Sequence, residues 1–184
     1  MMDRRRRNVM DRRRHIWIIL TLAMMAFIFI QAALPGEVSG SESNVIVQIL
    51  AQITGADPES LSFGVRKAAH FTEYMILGGL LMMDAAGWRR RTAETATTPA
   101  ATTSRAPEST ATPASAPGPQ PTPARLACAW LVAALYAVSD EIHQYFVPER
   151  ACALMDMGID SAGAAAGVLI VALILTRKTL IKNK

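Results

Sequence analysis

The sequence predicts an all-α integral membrane protein, a bundle of four spanning helices with a disordered cytoplasmic linker between helices two and three. Its 184 residues are 51% apolar and only 18% charged, a balance typical of a small membrane domain. A helix needs about 20 apolar residues to cross a bilayer. Four stretches approach that length, and they are Ile16–Leu34, Ala68–Trp88, Leu126–Phe146 and Leu154–Thr176.

The first stretch is strongly apolar and follows a basic tail, residues 1–15. A cleaved signal peptide is the alternative interpretation of this pattern. The apolar run is long and Gln31–Ala33 is a poor cleavage signal, which favours a spanning helix. The second and third stretches carry polar residues at one end, so we expect them to insert with help from neighbouring helices.

Positive charge predicts the orientation of the helices. Basic residues cluster in the N-terminal tail, at Arg89–Arg91 and in the C-terminal tail, residues 177–184. With the four helices numbered in order, all three clusters fall on one side of the membrane, which the positive-inside rule makes the cytoplasm. The prediction is a multi-pass protein with both termini cytoplasmic. The net charge of +4 follows from this arrangement and does not indicate nucleic-acid binding.

The other boundaries follow from composition. Helices one and two occupy residues 16–91 around an outer loop, 35–67, and helices three and four occupy 125–176. In the loop, Val45–Ile53 is apolar at helical spacing, which predicts a short interfacial helix or, alternatively, a lid over a polar site. Residues 92–124 are rich in Thr, Ala, Pro and Ser and cannot bury enough apolar surface to fold, which predicts the disordered linker.

One stripe of the fourth helix combines acidic and small residues, and its members are Asp156, Asp160, Gly163 and Gly167. The two glycines form a small-xxx-small pattern that lets another backbone approach closely. Gly78 and Gly79 in the second helix can receive a neighbour in the same way. The pattern predicts close helix packing.

The predicted topology brings polar ends of three helices to the outer boundary of the membrane. The candidate site residues there are Lys67, His70, Glu73, Asp140, Glu141, His143, Gln144, Arg150, Asp156 and Asp160. A charged side chain at the centre of a spanning helix raises the free energy of membrane insertion by about 2.5–3.5 kcal/mol. The presence of so many ionisable side chains at the ends of these helices therefore needs an explanation. One reason is structural, since these groups can pair and hold the helices together. The other is a functional site, because crowded carboxylates suit proton transfer.

The functional interpretation gives these residues two kinds of role. The candidates for acid/base chemistry are His70, Glu73, Asp140, Glu141 and His143, and those for substrate binding are Lys67, Gln144, Arg150, Asp156 and Asp160. Nitrogen and oxygen ligands for a metal could come from His70, Glu73, His143 and Asp156. Their spacing is not a recognised zinc signature, so we assign no metal and no cofactor.

The same residues carry a resemblance to a known family. Residues 66–78, RKAAHFTEYMILG, and residues 139–150, SDEIHQYFVPER, resemble two motifs of the VanZ-like family, and the acidic and glycine stripe of the fourth helix resembles the third. The resemblance implies a small bacterial protein of the cytoplasmic membrane, in a family associated with resistance to teicoplanin. The family usually has a short connection between helices two and three, so the long linker is a departure from its pattern.

Three functions remain open from the sequence. The first is a cell-envelope protein that lowers glycopeptide susceptibility by binding or shielding a cell-wall precursor. The second is a membrane-embedded enzyme, an acid/base hydrolase or transferase acting on a lipid-linked or cell-wall precursor, with His70 and Glu141 as the acid/base pair and Arg150 holding an anionic group. The third is an ion or proton carrier, which the apolar inner halves of the helices disfavour. The expected partners are the lipid bilayer and such a precursor, and the oligomeric state stays open.

Overall fold

The computed structural model describes residues 2–96, 121–148, 150 and 152–182, and within these ranges the chain forms five helices and no strand. This confirms the predicted all-α class. The helices are α1 (Met2–Ala33), α2 (Gly36–Thr54), α3 (Pro58–Ala96), α4 (Pro123–Gln144) and α5 (Leu154–Lys182). The predicted linker falls mostly on residues 97–120, which lie outside the described ranges, while α3 continues to Ala96 and α4 begins at Pro123.

Three segments of the described chain are long and apolar enough to cross a membrane, and they are His15–Ala33, Pro123–Gln144 and Leu154–Ile181. They correspond to the first, third and fourth predicted spans. The second predicted span lies within α3, where His70, Glu73 and Asp84 interrupt the apolar sequence. This helix nevertheless packs against each of the other four, so it is the centre of the bundle.

The region between the first two predicted spans is more helical than the sequence indicated. The expected short helix at Val45–Ile53 is part of the longer α2, which ends at Thr54 and is capped by Gly55, whose φ of 69° is left-handed. The next helix starts only three residues later. The Asp57 side chain accepts a hydrogen bond from the Ser60 amide at 3.0 Å, and Pro58 occupies the first helical position.

Contacts between helices define one end of the bundle, which we call the polar end. Lys67 of α3 pairs with Asp156 of α5, and further along both helices Gly163 packs beneath Phe71. The two helices therefore run parallel from this end. The first and fourth helices run the other way, because Arg150, which follows α4, contacts the carbonyls at the C-terminal end of α1.

The closest packing joins α3 to α5 through glycines, as the sequence predicted. A Cβ at Gly167 would lie 2.8 Å from the Met75 carbonyl carbon and 2.9 Å from the Gly79 amide nitrogen. A Cβ at Gly78 would lie 2.9 Å from the Ala164 Cα. Real Cβ atoms do not approach backbone so closely, so the two helices can only meet in this way without side chains at these positions.

The interior of the bundle is apolar below the polar end. Its buried residues there are Ile28, Tyr74, Leu77, Ala133, Ala137 and Ala164, with Met82, Ala129 and Val168 further along. Large apolar side chains such as Leu135 and Leu173, which are 60% and 62% exposed, point away from the bundle. An apolar outer surface on an apolar core is the pattern expected of helices surrounded by lipid.

Candidate functional site

Helices α3, α4 and α5 each place one ionisable side chain in a cluster at the polar end. The members are His70, Asp140 and Asp160, and one nitrogen or oxygen atom of each lies within 4.8 Å of the others. The His70 Nδ1 atom is 3.6 Å from an Asp160 carboxylate oxygen. All three are predicted site residues, but no sequence pattern groups them, and the role that the sequence predicts for Asp160 differs from the role that it predicts for His70 and Asp140.

Burial sets this cluster apart from a surface group of charges. Asp160 is 0% exposed and Asp140 is 3% exposed, so water has almost no access to either carboxylate. Within the described part of the chain, both oxygens of Asp160, Oδ1 of Asp140 and Nδ1 of His70 are buried without a hydrogen-bond partner. We call these four the unpaired atoms. Leaving such groups unsatisfied costs about 1–3 kcal/mol each, more when charged.

A chain of hydrogen bonds supports Asp140 from outside the cluster. The Gln144 side-chain amide donates to the second Asp140 oxygen at 3.1 Å, and Arg150 Nη1 donates to the Gln144 amide oxygen at 3.2 Å. Arg150 also donates from Nε and Nη2 to the carbonyls of Leu34 and Gln31, both at 3.2 Å. The Arg150 guanidinium thus has two roles. It fixes the Gln144 amide, which orients Asp140, and it binds the carbonyls at the C-terminal end of α1.

Arg150 is therefore engaged with the protein itself. Burial lowers the pKa of its guanidinium below the ordinary value, and the nearby charge of Arg66 lowers the pKa further, but a guanidinium stays protonated at neutral pH. Its positive charge lies next to the negative end of the α1 dipole, which is a favourable arrangement. The sequence predicts that Arg150 binds an anion, and such an anion would compete with these hydrogen bonds for the guanidinium.

Glu141 is 0% exposed and makes a different contact from the one that the sequence suggested. Its Oε2 accepts a hydrogen bond from the Ala153 amide at 2.9 Å, immediately before α5 begins. The proposed acid/base partner His70 instead has its ion-pair contact with Asp160. Glu141 therefore fixes the turn between α4 and α5. The carboxylate beside His70 is that of Asp160, which belongs to α5.

The family follows from a comparison over the whole chain. The family model described as VanZ/LLP1 matches residues 17–175. The chain belongs to the VanZ/LLP1 family. No curated protein and no solved structure matches it. All ten candidate site residues of this VanZ/LLP1 protein fall inside the matched range.

The remaining predicted residues of the VanZ/LLP1 site lie around the cluster. Lys67, in the third turn of α3, pairs with Asp156, in the first turn of α5, and both side chains are 17% exposed. The Lys67 ammonium also lies 5.1 Å from the Phe63 ring centroid. His143 stacks on Phe29 of α1, with ring centroids 4.5 Å apart. These contacts direct Lys67, Asp156 and His143 to neighbours other than the cluster. Glu73 lies one turn after His70 on α3 and is partly buried.

Two further polar features of this VanZ/LLP1 protein lie outside the ten candidate site residues. The Tyr74 hydroxyl is buried without a hydrogen-bond partner among the described residues, and its ring centroid is 6.3 Å from that of Tyr136. Further from the polar end, Thr21 of α1 donates a hydrogen bond to Asp84 of α3 at 2.8 Å. The sequence does contain a signal for the Thr21–Asp84 hydrogen bond, because Asp84 interrupts an otherwise apolar stretch and a buried carboxylate needs a partner.

Proposed function

We propose that this VanZ/LLP1 protein spans the bacterial cytoplasmic membrane as a four-helix bundle, with α3 as the fourth spanning helix. Both termini are cytoplasmic and the polar end faces outward. Through the site at this end the protein lowers susceptibility to glycopeptide antibiotics such as teicoplanin. The basic clusters at the far ends of α1, α3 and α5 support this orientation.

The observation that carries the proposal is the burial of Asp140, Asp160 and His70 with unpaired atoms at the outer end of an apolar bundle. Helices that only need to associate in lipid can do so through the glycine contacts of α3 and α5, which are already present. Buried ionisable groups beyond that requirement are expensive and indicate a working site.

The proposed ligand is a lipid-linked or cell-wall precursor at the outer surface. Such a molecule presents anionic and polar groups at the depth of the membrane interface. Arg66 is exposed and acts electrostatically on the partly buried Arg150, so two guanidinium groups lie beside the acidic interior of the site. Positive charge at these two positions favours the approach of an anionic headgroup.

The first test is teicoplanin susceptibility of a sensitive Gram-positive host that expresses the wild type, His70→Ala or Asp160→Asn. Glu59→Gln, a change at an exposed position of the same outer region, is the matched control. Immunoblots of membranes establish equal amounts of protein. We expect resistance with the wild type and the control, and its loss with the two cluster variants. Equal protection by all four proteins would contradict the proposed site.

A second candidate function is a membrane-embedded acid/base enzyme that acts on the same class of precursor. The specific observation in its favour is the His70–Asp160 contact at 3.6 Å, since a carboxylate beside an imidazole orients it as a general base. The two functions differ in what happens to the precursor. Incubation of a radiolabelled lipid-linked precursor with the purified protein, followed by chromatography, gives a new product if the protein is an enzyme and the unchanged compound if it binds or shields.

A further inference from the structure

The cluster at the polar end offers the ligand chemistry of a metal site. It combines one imidazole nitrogen, from His70, with carboxylate oxygens of Asp140 and Asp160, and the three come from three different helices. This set differs from the ligands that the sequence suggested, because Asp156 pairs with Lys67 and His143 stacks on Phe29.

The unpaired atoms point to something that the cluster binds. Asp160 is 0% exposed, neither of its oxygens has a hydrogen-bond partner in the described chain, and one of them faces His70 Nδ1 at 3.6 Å. The ring nitrogen is itself buried and unpaired. The Asp160 oxygen and His70 Nδ1 face each other but are too far apart for a hydrogen bond. Each of them can therefore still bind a third atom that lies between them.

Charge balance leads to the same conclusion. Asp140 and Asp160 bring two carboxylates that water hardly reaches into one cluster, and a buried carboxylate needs a cation or a proton. The lysine and the arginine next to the cluster are engaged elsewhere, Lys67 with Asp156 and Arg150 with carbonyls of α1 and the Gln144 amide, which leaves His70 as the titratable base beside the carboxylates. A divalent ion would neutralise both carboxylates at once.

We propose that His70 Nδ1, Asp140 and Asp160 bind one divalent transition-metal ion, with Zn²⁺ or Mn²⁺ as the class that fits the ligands. Two ligand atoms that each lie about 2.1 Å from a tetrahedral ion are about 3.4 Å apart. The separation between His70 and Asp160 is 3.6 Å, so an ion fits between them with little movement. Rotation of the Asp140 side chain within the 4.8 Å cluster completes the set.

The ligand types restrict the ion. Mixed nitrogen and oxygen ligands suit Zn²⁺ and Mn²⁺, whereas Ca²⁺ and Mg²⁺ prefer oxygen alone and soft ions prefer sulfur. Three protein ligands leave a coordination position open, which is the arrangement of catalytic rather than structural zinc sites. The proposal goes beyond the proposed function, because binding of an ion does not depend on protection against glycopeptides.

The surroundings of Asp140 also suit a metal ligand. Carboxylates that bind metals are usually held by a hydrogen bond from a second residue. Gln144 makes that bond at 3.1 Å, and Arg150 fixes Gln144 in turn. Gln144 is thus a positioning residue, and we expect Gln144→Ala to weaken ion binding by about 10–100-fold without abolishing it.

The test is the metal content of the full-length protein, purified in detergent with an affinity tag that contains no histidine. Wild type, Asp160→Asn, Asp140→Asn and His70→Ala are loaded with Zn²⁺ or Mn²⁺, freed of excess ion and analysed by mass spectrometry. We expect about one ion per wild-type chain and a loss of at least about tenfold in each variant. Asp156→Asn, on the same face of α5 but paired with Lys67, is the matched control and should retain the ion.

A second measurement keeps the proposal testable if the variants do not fold. X-ray absorption of the Zn²⁺-loaded wild type should show nitrogen and oxygen neighbours and no sulfur. The proposal is overturned if the folded wild type retains no ion, which would mean that protons neutralise the cluster. It is also overturned if Asp160→Asn binds as much as wild type or if the absorption spectrum shows sulfur. Metal content and teicoplanin susceptibility are independent readouts, so failure of one proposal is distinguishable from failure of the other.

Discussion

Glu141 and Asp160 are both fully buried carboxylates at the polar end, but their surroundings differ. One oxygen of Glu141 accepts the Ala153 amide, so this side chain holds the start of α5. Neither oxygen of Asp160 has a hydrogen-bond partner in the described chain, and His70 lies beside it. At the scale of residues, Asp160 therefore has both oxygens available to a ligand, whereas Glu141, like Asp140, has one oxygen in a hydrogen bond and one buried without a partner in the described chain.

Replacing Glu141 separates these two roles. Glu141→Gln keeps an oxygen that can accept the Ala153 amide, so we expect stability and teicoplanin protection close to wild type. Glu141→Ala leaves that partly buried amide unpaired and should lower the free energy of unfolding by about 1–3 kcal/mol. Thermal unfolding in detergent and the susceptibility test provide the two readouts. Complete loss of protection in a stable Glu141→Gln protein would instead restore the acid/base role inferred from sequence.

Arg150 should be sensitive even to a conservative change. Its planar guanidinium reaches the Gln31 and Leu34 carbonyls and the Gln144 amide together, whereas a lysine ammonium cannot reproduce this geometry. We expect Arg150→Lys to destabilise the protein by about 1–3 kcal/mol, measured by thermal unfolding in detergent. Arg66→Lys, at an exposed position of α3, is the control and should have no effect. Equal unfolding temperatures for the two variants would contradict this role.

The sequence supplied the members of the site but not their pairing. All three cluster residues were candidates, because ionisable groups near the ends of apolar helices are unusual whatever their partners. Which carboxylate faces His70 depends on how α3, α4 and α5 rotate about their axes. A helical wheel places residues within one helix and carries no information about rotation between helices. For this reason the sequence predicts Glu141 as the acid/base partner of His70, whereas in the structure the carboxylate beside His70 is that of Asp160.

At the scale of helices, the contact between α3 and α5 was the most predictable feature. The spacing of Gly163 and Gly167 marks one face of α5, and that face does meet α3 at the positions of Phe71 and Met75. Helix boundaries were harder to predict. The start of α3 at Asp57-Pro58 had a clear capping signal, but its polar first turns resemble a loop in composition.

Two glycines of α5 provide a matched test of this packing. Gly167→Ala would place a methyl group 2.8 Å from the Met75 carbonyl carbon. Because backbone atoms cannot move away without disturbing the helix, we expect the free energy of unfolding to fall by about 1–3 kcal/mol. Gly158→Ala, in the same helix, meets no atom within 4 Å. It should be neutral or stabilising by up to about 1 kcal/mol, because alanine favours helix. Detergent unfolding followed by circular dichroism measures both. Similar stability of the two variants would mean that the helices do not approach so closely.

At the scale of the whole molecule, α3 lies at the centre of the bundle, although none of the three candidate membrane spans found in the described residues belongs to it. The segments His15–Ala33, Pro123–Gln144 and Leu154–Ile181 are long and apolar enough to cross a membrane, whereas α3 carries His70, Glu73 and Asp84. The other helices cover these groups, as in the Thr21–Asp84 hydrogen bond. Composition predicted the membrane class from the chain average, but whether α3 crosses the bilayer depends on its neighbours and therefore on the tertiary structure.

The proposed topology requires the two ends of α3 to lie on opposite sides of the membrane. Ser60 lies in its first turn and Thr92 in its last part, and each can be replaced by cysteine in a chain that lacks Cys128 and Cys152. We expect a membrane-impermeant maleimide to label Ser60→Cys in intact spheroplasts and Thr92→Cys only after permeabilisation, because the positive-inside rule assigns the basic cluster at Arg89–Arg91 to the cytoplasm. Arg177→Cys, at an exposed position near the C-terminal end of α5, is the control for the side that the proposed topology makes cytoplasmic. If Ser60→Cys and Thr92→Cys were labelled from the same side, α3 would not span the membrane, and the polar cluster would lie in a bundle of three spanning helices.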